Sequence, residues 1–309
     1  MARDDVILMT DHSSTEGSRD VLALAVERLT GRAPILVDAR HFMSGGDGRV
    51  DPAGTGLRLT AGGRSVTADT VLVYEIPPHR RRDFEACQHL LLAHGARSLG
   101  TGAEAWRAAT EKDLTVARLT RDGIPHMPTI TLRRPTPRIA VEAFERLGGD
   151  VWARPTVGMG GGDVFHVTTP RQLADAAVHY ADLGVDWLIA RDAGNFTPDG
   201  RRHQYRAVVL GERIVRAVEH VQPDPDAPCN ESRGAVSTLL AVDDLPAGLA
   251  ELAVAATRSL GLPFAGVDLA AESGGVVFEV NVHPVFGTDQ GLETVALPYV
   301  AAHLDPWSN

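Results

Sequence analysis

The stretch VDLAAESGGVVFEVN, residues 267–281, has the pattern of a β-hairpin, with two apolar runs on either side of a Ser-Gly-Gly turn at 273–275. A turn centred on the first two of these residues places Asp268 opposite Glu279. A turn centred on the two glycines places Asp268 opposite Asn281. Because side chains two residues apart share one face of a strand, either register gathers all three polar side chains on the same face.

Two carboxylates and an amide oxygen among apolar neighbours repel one another unless a cation lies between them. Hard oxygen ligands of this kind suit Mg²⁺, particularly where the phosphates of a nucleotide complete the coordination shell. The alternative is that the three side chains form the solvent-facing polar side of a hairpin. The residues alone leave both interpretations open, so Asp268, Glu279 and Asn281 are candidate metal ligands.

A second feature is the glycine-rich stretch PTVGMGGGDV, residues 155–164, which the pattern predicts to connect two strands. Its glycines allow backbone amides to approach phosphate oxygens without interference from side chains. The spacing matches neither a P-loop nor a dinucleotide-binding fingerprint, since a strand follows it. A simple hairpin tip is the alternative. Arg154, on the incoming strand, is placed to reach a phosphate.

Lys112 is the only lysine among 29 arginines, and it begins a predicted helix. An isolated lysine at a helix start is most often a solvated surface charge. The other interpretation is that a compact ammonium is retained here to contact a bound group. The excess of arginine is typical of a GC-rich coding bias.

Composition narrows the functional classes. The chain has 309 residues, 44% of them hydrophobic, which is enough for one large domain or several modest ones. A net charge of -10 argues against binding nucleic acid mainly through phosphate neutralisation. The two cysteines lie far apart without metal-ligand spacing, and the acidic N-terminus lacks the apolar run of a signal peptide or anchor. We therefore expect a cytoplasmic protein with free thiols and no membrane contact.

The opening of the chain predicts a βαβ unit, with strands at 5–11 and 33–39 around an amphipathic helix at 19–29. This order is typical of an α/β domain with a parallel sheet. After residue 100 the pattern changes to helices that alternate with hairpins, and the proline-rich stretch 133–138 is a predicted linker. The long amphipathic segment LPAGLAELAVAATRSLG, residues 245–261, predicts a further helix.

In this order, the lysine at a helix start, the strand with its glycine-rich loop and the hairpin with Asp, Glu-x-Asn resemble the ATP-grasp ligases. Within them the sequence is most similar to the RimK and glutathione synthetase branch. The resemblance covers residues 100–295 and implies an α/β (α+β) chain with the ATP-grasp fold. It divides the chain into an N-terminal pre-ATP-grasp α/β domain (1–100), a central subdomain with the glycine-rich loop (101–185) and a C-terminal subdomain with the metal site (186–309).

The resemblance also implies roles for individual residues. ATP would be bound by the glycine-rich loop, by two cations and by the hinge after the loop: Lys112, Arg154, Gly158, Gly160, Gly161, Gly162, Ile189, Ala190 and Asp192. Mg²⁺, with Mn²⁺ as an alternative, would be held by Asp268, Glu279 and Asn281. The reacting centre would contain Arg206, Arg233 and Asn230.

Two positions depart from the pattern of the family. Arg154 stands where a second lysine is usual, and Gln204 replaces an expected Asp, which puts the support of Arg206 in doubt. Cys229 is expected to fill space, because no histidine is placed beside it as a base. His283, directly after the hairpin, is a candidate substrate contact. Asp289 and Glu293 are expected to begin the last helix, where acids favour the helix dipole; a contact with a substrate amino group is the alternative.

The implied activity is ATP-dependent amide bond formation between a carboxylate and an amine through an acyl phosphate. The expected partners are small-molecule carboxylate and amine substrates, such as an amino acid or a peptide, without nucleic acid or membrane; a homodimer is an open alternative. Together with the arginine-rich composition, which suggests a high-GC source, the resemblance implies a role in specialised, natural-product metabolism. Three alternatives remain: a ring-closing ligase, a nucleotide-binding partner protein without turnover, and an α/β enzyme that does not use ATP.

Overall fold

The computed structural model describes residues 5–54, 56–286 and 289–305. The strands are, in chain order, β1 (Val6–Thr10), β2 (Ile35–Asp38), β3 (Arg49–Ala53), β4 (Gly56–Ala61), β5 (Arg64–Ala68), β6 (Thr70–Tyr74), β7 (Thr129–Leu132), β8 (Val151–Pro155), β9 (Phe165–Val167), β10 (Trp187–Arg191), β11 (Arg202–Leu210), β12 (Arg213–Gln222), β13 (Val236–Leu240), β14 (Phe264–Ala270) and β15 (Val276–Asn281). The helices are α1 (Ser18–Thr30), α2 (Arg81–Ala93), α3 (Ala103–Thr110), α4 (Lys112–Arg121), α5 (Pro137–Arg146), α6 (Pro170–Leu183), α7 (Leu249–Ser259), α8 (Asp289–Gly291) and α9 (Leu297–Leu304).

The chain divides into two compact units. The first contains Met1–Arg107, Leu262–Ala265 and Val282–Asn309, and the second contains Ala108–Gly261 and Gly266–Asn281. The division into three domains at residues 100 and 185 remains a prediction.

The first unit is built on the βαβ motif that the sequence predicts. Strand β1 lies in the middle of a parallel sheet of order β2-β1-β6, and all five of its residues are buried. Burial of both faces explains why this strand is continuously apolar rather than alternating. Helix α1 begins without a side-chain cap of its own. Its first amides are instead satisfied by Glu75, whose Oε1 accepts from the backbone amides of Ser18 and Arg19.

His283 belongs to the core of the first unit. Its ring lies 4.5 Å from that of Tyr74 and 4.7 Å from that of Trp106, measured between centroids. Burial holds the pKa of His283 well below its usual range. The structure therefore gives this histidine a packing role in an aromatic cluster.

The second unit contains two antiparallel sheets, of order β7-β10-β8-β9 and β13-β12-β11-β14-β15. Helices α5 and α6 contact each other, and buried residues of both helices form one core with the sheet β7-β10-β8-β9. Helix α6 begins with a capping box between Thr169 and Gln172 and ends at Gly184 in the left-handed conformation, so both of its ends are specified locally. The larger sheet carries the hairpin β14–β15 at its edge. Among the described residues, no helix combines the length and the apolarity that crossing a membrane requires.

Candidate functional site

The hairpin β14–β15 has the first of the two registers that the sequence allowed. Asp268 pairs with Glu279, and Gly266 pairs with Asn281. A β-bulge follows, because Leu269 pairs with Val277, which leaves Phe278 as an extra residue on β15. The pairing outside the bulge keeps Asp268, Glu279 and Asn281 on one face of the sheet, as predicted. The bulge itself was not foreseen.

Arg206, on β11, makes a bidentate contact with the carboxylate of Asp268. Its Nε donates to Oδ1 of Asp268 at 2.6 Å, and its NH2 donates to Oδ2 at 2.9 Å. Asn281 completes the group, since its Nδ2 lies 3.3 Å from the same Oδ2. Asp268 is only 4% exposed, and its charge raises the pKa of Arg206 above the ordinary value against the effect of burial. Arg206 thus takes its support from Asp268. The amide of Gln204 instead donates to the carbonyl of Cys229.

Lys112 joins the hairpin to the glycine-rich loop. Its Nζ lies 3.0 Å from Oε1 of Glu279 and 3.3 Å from the carbonyl oxygen of Gly158. The side chain is 8% exposed, so the interpretation as a solvated surface charge is wrong. The backbone amide of Lys112 donates to the carbonyl of Thr156, which fixes the start of α4 against the same loop.

A second cation lies near the same carboxylate. Arg154, on β8, donates from NH2 to the carbonyl of Phe278 at 3.0 Å, and its buried Nε has no hydrogen-bond partner. Burial acts to raise the pKa of Glu279, but the charges of Lys112 and Arg154 outweigh it and hold that pKa below its usual range. Glu279 is therefore an anion between two cations.

The glycine-rich loop between β8 and β9 is held down by the segment around residue 232. Ser232 Oγ donates to the carbonyl of Gly160 at 2.8 Å, and Arg233 donates from Nε to that of Gly161 at 3.0 Å and from NH2 to that of Gly162. Asn230 caps the short turn that presents these side chains, since its Oδ1 accepts from the amide of Ser232. In this structure Arg233 and Asn230 position the loop.

The predicted hinge is strand β10 and the residue after it. Ile189 and Ala190 are buried within β10, opposite Ala153 and Trp152 of β8. The carboxylate of Asp192 is already bonded on both oxygens. These bonds come from the indole of Trp152 at 2.7 Å, NH1 of Arg202 at 2.7 Å and the backbone amide of Gly194 at 2.7 Å.

The contact between Asp192 and the buried Arg202 was not foreseen from the sequence. Arg202 also lies over the rings of Trp152 and Phe196, at 4.8 and 4.4 Å from their centroids. Asp150 and His166 lie close enough to Asp192 to form a group of potential metal ligands, but the donors above occupy its oxygens. Asp192 therefore anchors Arg202 in this structure, and its expected contact to a ribose remains a prediction.

The donor set of the hairpin fits a divalent cation. Asp268, Glu279 and Asn281 carry oxygen atoms on one face, which is the chemistry that Mg²⁺ requires. In this structure Arg206 holds both oxygens of Asp268 and Lys112 contacts Oε1 of Glu279, so a bound ion would share these oxygens with the two cations or displace them. Lys112 and Arg154 bring positive charge beside the loop, where the phosphates of a nucleotide can replace their present contacts. Burial raises the pKa of the Cys229 thiol to about 12, so this cysteine is not a nucleophile at neutral pH.

Comparison of the sequence with known families and proteins finds one matching family model and several similar proteins. Residues 183–294 match the model of the RimK-like ATP-grasp domain. A relative described as a probable alpha-L-glutamate ligase from Klebsiella pneumoniae is 34% identical over 103 residues, which are 33% of this chain and 32% of that protein. The chain thus matches about a third of the length of this relative.

Solved structures extend the likeness to nearly the whole chain. The ATP-grasp ligase PsnB, in complex with a variant of a minimal precursor, Mg and ADP, has a TM-score of 0.68 and 15% identity over 98% of this chain and 99% of that one. The D-cycloserine synthetase DcsG has a TM-score of 0.67 and 19% identity over 97% and 99%. These comparisons confirm the ATP-grasp fold and the RimK-like domain that the sequence predicts.

Proposed function

We propose that the chain is an ATP-dependent carboxylate-amine ligase that forms an amide bond and releases ADP and phosphate. One observation carries this proposal. The hairpin register gathers Asp268, Glu279 and Asn281 on one face, directly beside Arg206 and Lys112. Oxygen ligands and phosphate-binding cations in such proximity suit the binding and activation of a nucleoside triphosphate. The names of the sequence relatives agree with this chemistry.

The first half of the reaction is a phosphoryl transfer. The substrate carboxylate attacks the terminal phosphorus of ATP, the bond to the bridging oxygen breaks, and ADP leaves with an acyl phosphate formed. Lys112 and Arg154 bind the phosphates in place of their present contacts to Glu279, Gly158 and Phe278. Asp268, Glu279 and Asn281 would hold Mg²⁺, which supplies neutralisation of the phosphate charge.

In the second half, the amine attacks the acyl carbon, the acyl C–O bond to phosphate breaks, and the departing phosphate takes up the proton lost from the nitrogen. Arg206 stabilises the oxyanion of the tetrahedral intermediate through charge-assisted hydrogen bonds, oriented by Asp268. The glycine-rich loop, held by Ser232 and Arg233, excludes water that would hydrolyse the acyl phosphate. Positioning and electrostatics are sufficient for both halves, and no side-chain nucleophile takes part.

A role in specialised, natural-product metabolism and an amino acid or peptide as substrate are the finer parts of the proposal. The names glutamate ligase and D-cycloserine synthetase among the similar proteins are consistent with either a joining or a ring-closing reaction. Two departures from the family pattern, Arg154 in place of a lysine and Gln204 in place of an aspartate, favour the alternative of a nucleotide-binding protein without turnover. The support that Asp268 gives to Arg206 weighs against it.

The test is a screen of amino acids and short peptides, singly and in pairs, for phosphate release from ATP with Mg²⁺, with mass spectrometry of the products. We expect stoichiometric ADP, phosphate and an amide. Glu279→Gln should abolish turnover, and Glu145→Gln, at an exposed position of α5, should not. Tight ATP binding without phosphate release for any pair would contradict the ligase and favour the binding protein.

A further inference from the structure

His220 is a buried histidine of the larger sheet that has no role in the two half-reactions proposed for the site. It lies on β12, two residues beyond Val218, which pairs with Arg206 of β11. Side chains two residues apart share one face of a strand, so His220 and Arg206 are diagonal neighbours on one face, with backbones about 7–8 Å apart. Arg206 meets Asp268 on this same face. His220 is therefore near any substrate group that Arg206 holds.

One nitrogen of the His220 ring has a partner and the other has none. Nδ1 lies 2.6 Å from Oγ of Ser237, the residue directly opposite on β13. Nε2 is buried without a hydrogen-bond partner, and the residue as a whole is 7% exposed. Such atoms are rare in proteins, because a buried polar atom without a partner costs about 1–3 kcal/mol. The open nitrogen is available to a polar group that a substrate brings.

The surroundings of His220 favour its neutral form. Burial is the main cause that lowers its pKa below the ordinary value of 6.5, and the charge of Arg206 is the next. The charge of Arg216 acts in the same direction, whereas the charges of Asp268 and Glu231 act to raise the pKa and are outweighed. At neutral pH the imidazole therefore has one N–H and one lone pair.

The contacts around the ring decide which nitrogen has the lone pair. An N–H on Nε2 would be a buried donor without an acceptor, since both oxygens of Asp268 are held by Arg206. A lone pair on Nε2 is instead stabilised by the positive charge of Arg206, and the N–H on Nδ1 donates to Ser237. The residue directly opposite on β11 is the uncharged Gln204, so no carboxylate at that position holds a second proton on the ring.

We propose that His220 is a general base of the ligase, which takes a proton from the ammonium group of the amine substrate through Nε2. This inference rests on the proposed function and adds a catalytic residue to it. The amine reaches the enzyme mainly as an ammonium ion at neutral pH, because the pKa of an α-amino group is about 8. An ammonium ion has no lone pair and cannot attack the acyl carbon, so it must first lose a proton.

The proton transfer precedes the formation of the carbon–nitrogen bond. One N–H bond of the ammonium breaks, its proton moves to Nε2, and its electron pair becomes the lone pair of the free amine. The amine then attacks the acyl carbon while Arg206 holds the oxyanion, and the departing phosphate takes up the second proton. Asp268 and Glu231 stabilise the imidazolium through their charges until it releases its proton to solvent.

The experiment compares an amine with hydroxylamine as the nucleophile. Hydroxylamine is neutral at neutral pH, so it attacks an acyl phosphate without a base and forms a hydroxamate. Each amino acid and dipeptide of the substrate screen is offered as the carboxylate, with ATP and Mg²⁺, and with either an amino acid or hydroxylamine as the nucleophile. We expect His220→Gln to slow amide formation roughly a hundredfold or more at neutral pH, with hydroxamate formation close to the wild-type rate.

The pH dependence of kcat/KM for the amine is a second readout that a merely structural role would not change. In the wild type it should fall only below pH 6.5, as His220 becomes protonated. In His220→Gln it should rise by about tenfold per pH unit up to the pKa of the amine, because only the free amine then reacts. Gln204→Glu, which places a carboxylate opposite His220, should move the acidic limb of the wild-type profile to higher pH.

His89→Gln is the matched control, because His89 is an exposed histidine on α2. It should keep both rates and the wild-type pH dependence. The hydroxamate rate shows that His220→Gln is folded and still forms the acyl phosphate. Equal losses of amide and hydroxamate in His220→Gln, or an unchanged pH profile in that variant, would overturn the general base.

Failure of the ligase proposal gives a different result from failure of the base. If the wild type forms neither a hydroxamate nor an amide from any carboxylate, the ligase proposal falls and the base falls with it. If hydroxamate forms, the ligase stands and the His220→Gln comparison decides the base. NMR of the ring nitrogens in isotope-labelled protein, assigned with His220→Gln, tests the base without turnover. A proton on Nδ1 alone at neutral pH supports it, and a proton on Nε2 contradicts it.

Discussion

Lys112 Nζ lies 3.0 Å from Oε1 of Glu279, so the single lysine of the chain neutralises a predicted metal ligand. The same ammonium contacts the carbonyl of Gly158 in the glycine-rich loop. A phosphate group that enters this site replaces a carboxylate as the partner of the lysine, and the carboxylate is then free to bind a metal ion. We therefore expect this arrangement to couple nucleotide binding to metal binding at the proposed site.

Loss of the lysine charge should weaken nucleotide binding. In Lys112→Met the apolar stem is retained, but a charge-assisted hydrogen bond to phosphate, of about 1.5–3 kcal/mol, is lost. We therefore expect the Kd for ATP, measured by calorimetry, to rise about tenfold to a hundredfold. Arg121→Met, at the exposed end of the same helix, should leave it unchanged. An unaltered Kd in Lys112→Met would favour an enzyme that does not use ATP.

The ionisation of Glu279 should stabilise the folded chain in a pH-dependent way. Its pKa is lowered from the ordinary value of 4.5, so the folded state favours the anion. The stabilisation is complete above pH 4.5 and is lost as the pH falls through the lower pKa of the folded state. The difference in unfolding free energy between wild type and Glu279→Gln, from urea titrations, should shrink over that range. For Glu145→Gln, the difference in unfolding free energy from the wild type should not depend on pH. A difference that is also independent of pH for Glu279→Gln would contradict the prediction.

Arg206 and Asp268 should be energetically coupled. Removal of Arg206 leaves the buried Asp268 without its counter-charge, and removal of Asp268 does the same to the partly buried Arg206. Breaking a fully buried pair costs about 3 kcal/mol or more. We expect Arg206→Met and Asp268→Asn each to lower the unfolding free energy by about 2–3 kcal/mol, with the double variant well short of their sum. Urea unfolding of the four proteins measures this coupling. If the losses in unfolding free energy of the two single variants add up in the double variant, the bidentate contact contributes little to stability.

Two neighbouring glycines of the loop should tolerate alanine differently. Gly161 has φ +67°, and a Cβ there would lie 3.1 Å from Cγ of Pro228, whereas a Cβ at Gly162 meets nothing within 4 Å. Gly161→Ala therefore strains the loop conformation that Ser232 and Arg233 hold, by about 1–2 kcal/mol. We expect Gly161→Ala to release more phosphate per amide formed, because water reaches the acyl phosphate. Gly162→Ala should change this ratio little. If both variants release the same amount of phosphate per amide formed, the glycine-rich loop does not protect the acyl phosphate from water.

Much of the fold could be predicted because its signals are local. The continuous apolar run of β1 and the periodicity of α1 predict the parallel βαβ unit, and the turn at 273–275 limits the hairpin to two registers. Such features depend only on spacing along one or two adjacent segments.

The sequence by itself determined the order of elements, the candidate metal ligands and the exceptional lysine, since each is a matter of residue type and spacing. Only the tertiary structure decided which charges meet: Arg206 with Asp268, Lys112 with Glu279, Arg202 with Asp192 and Arg233 with the carbonyls of the glycine-rich loop. It also decided that His283 is buried among aromatic rings. The physical reason is that electrostatic and packing partners are selected by distance in space, and residues far apart in the chain come together only when sheets and helices pack.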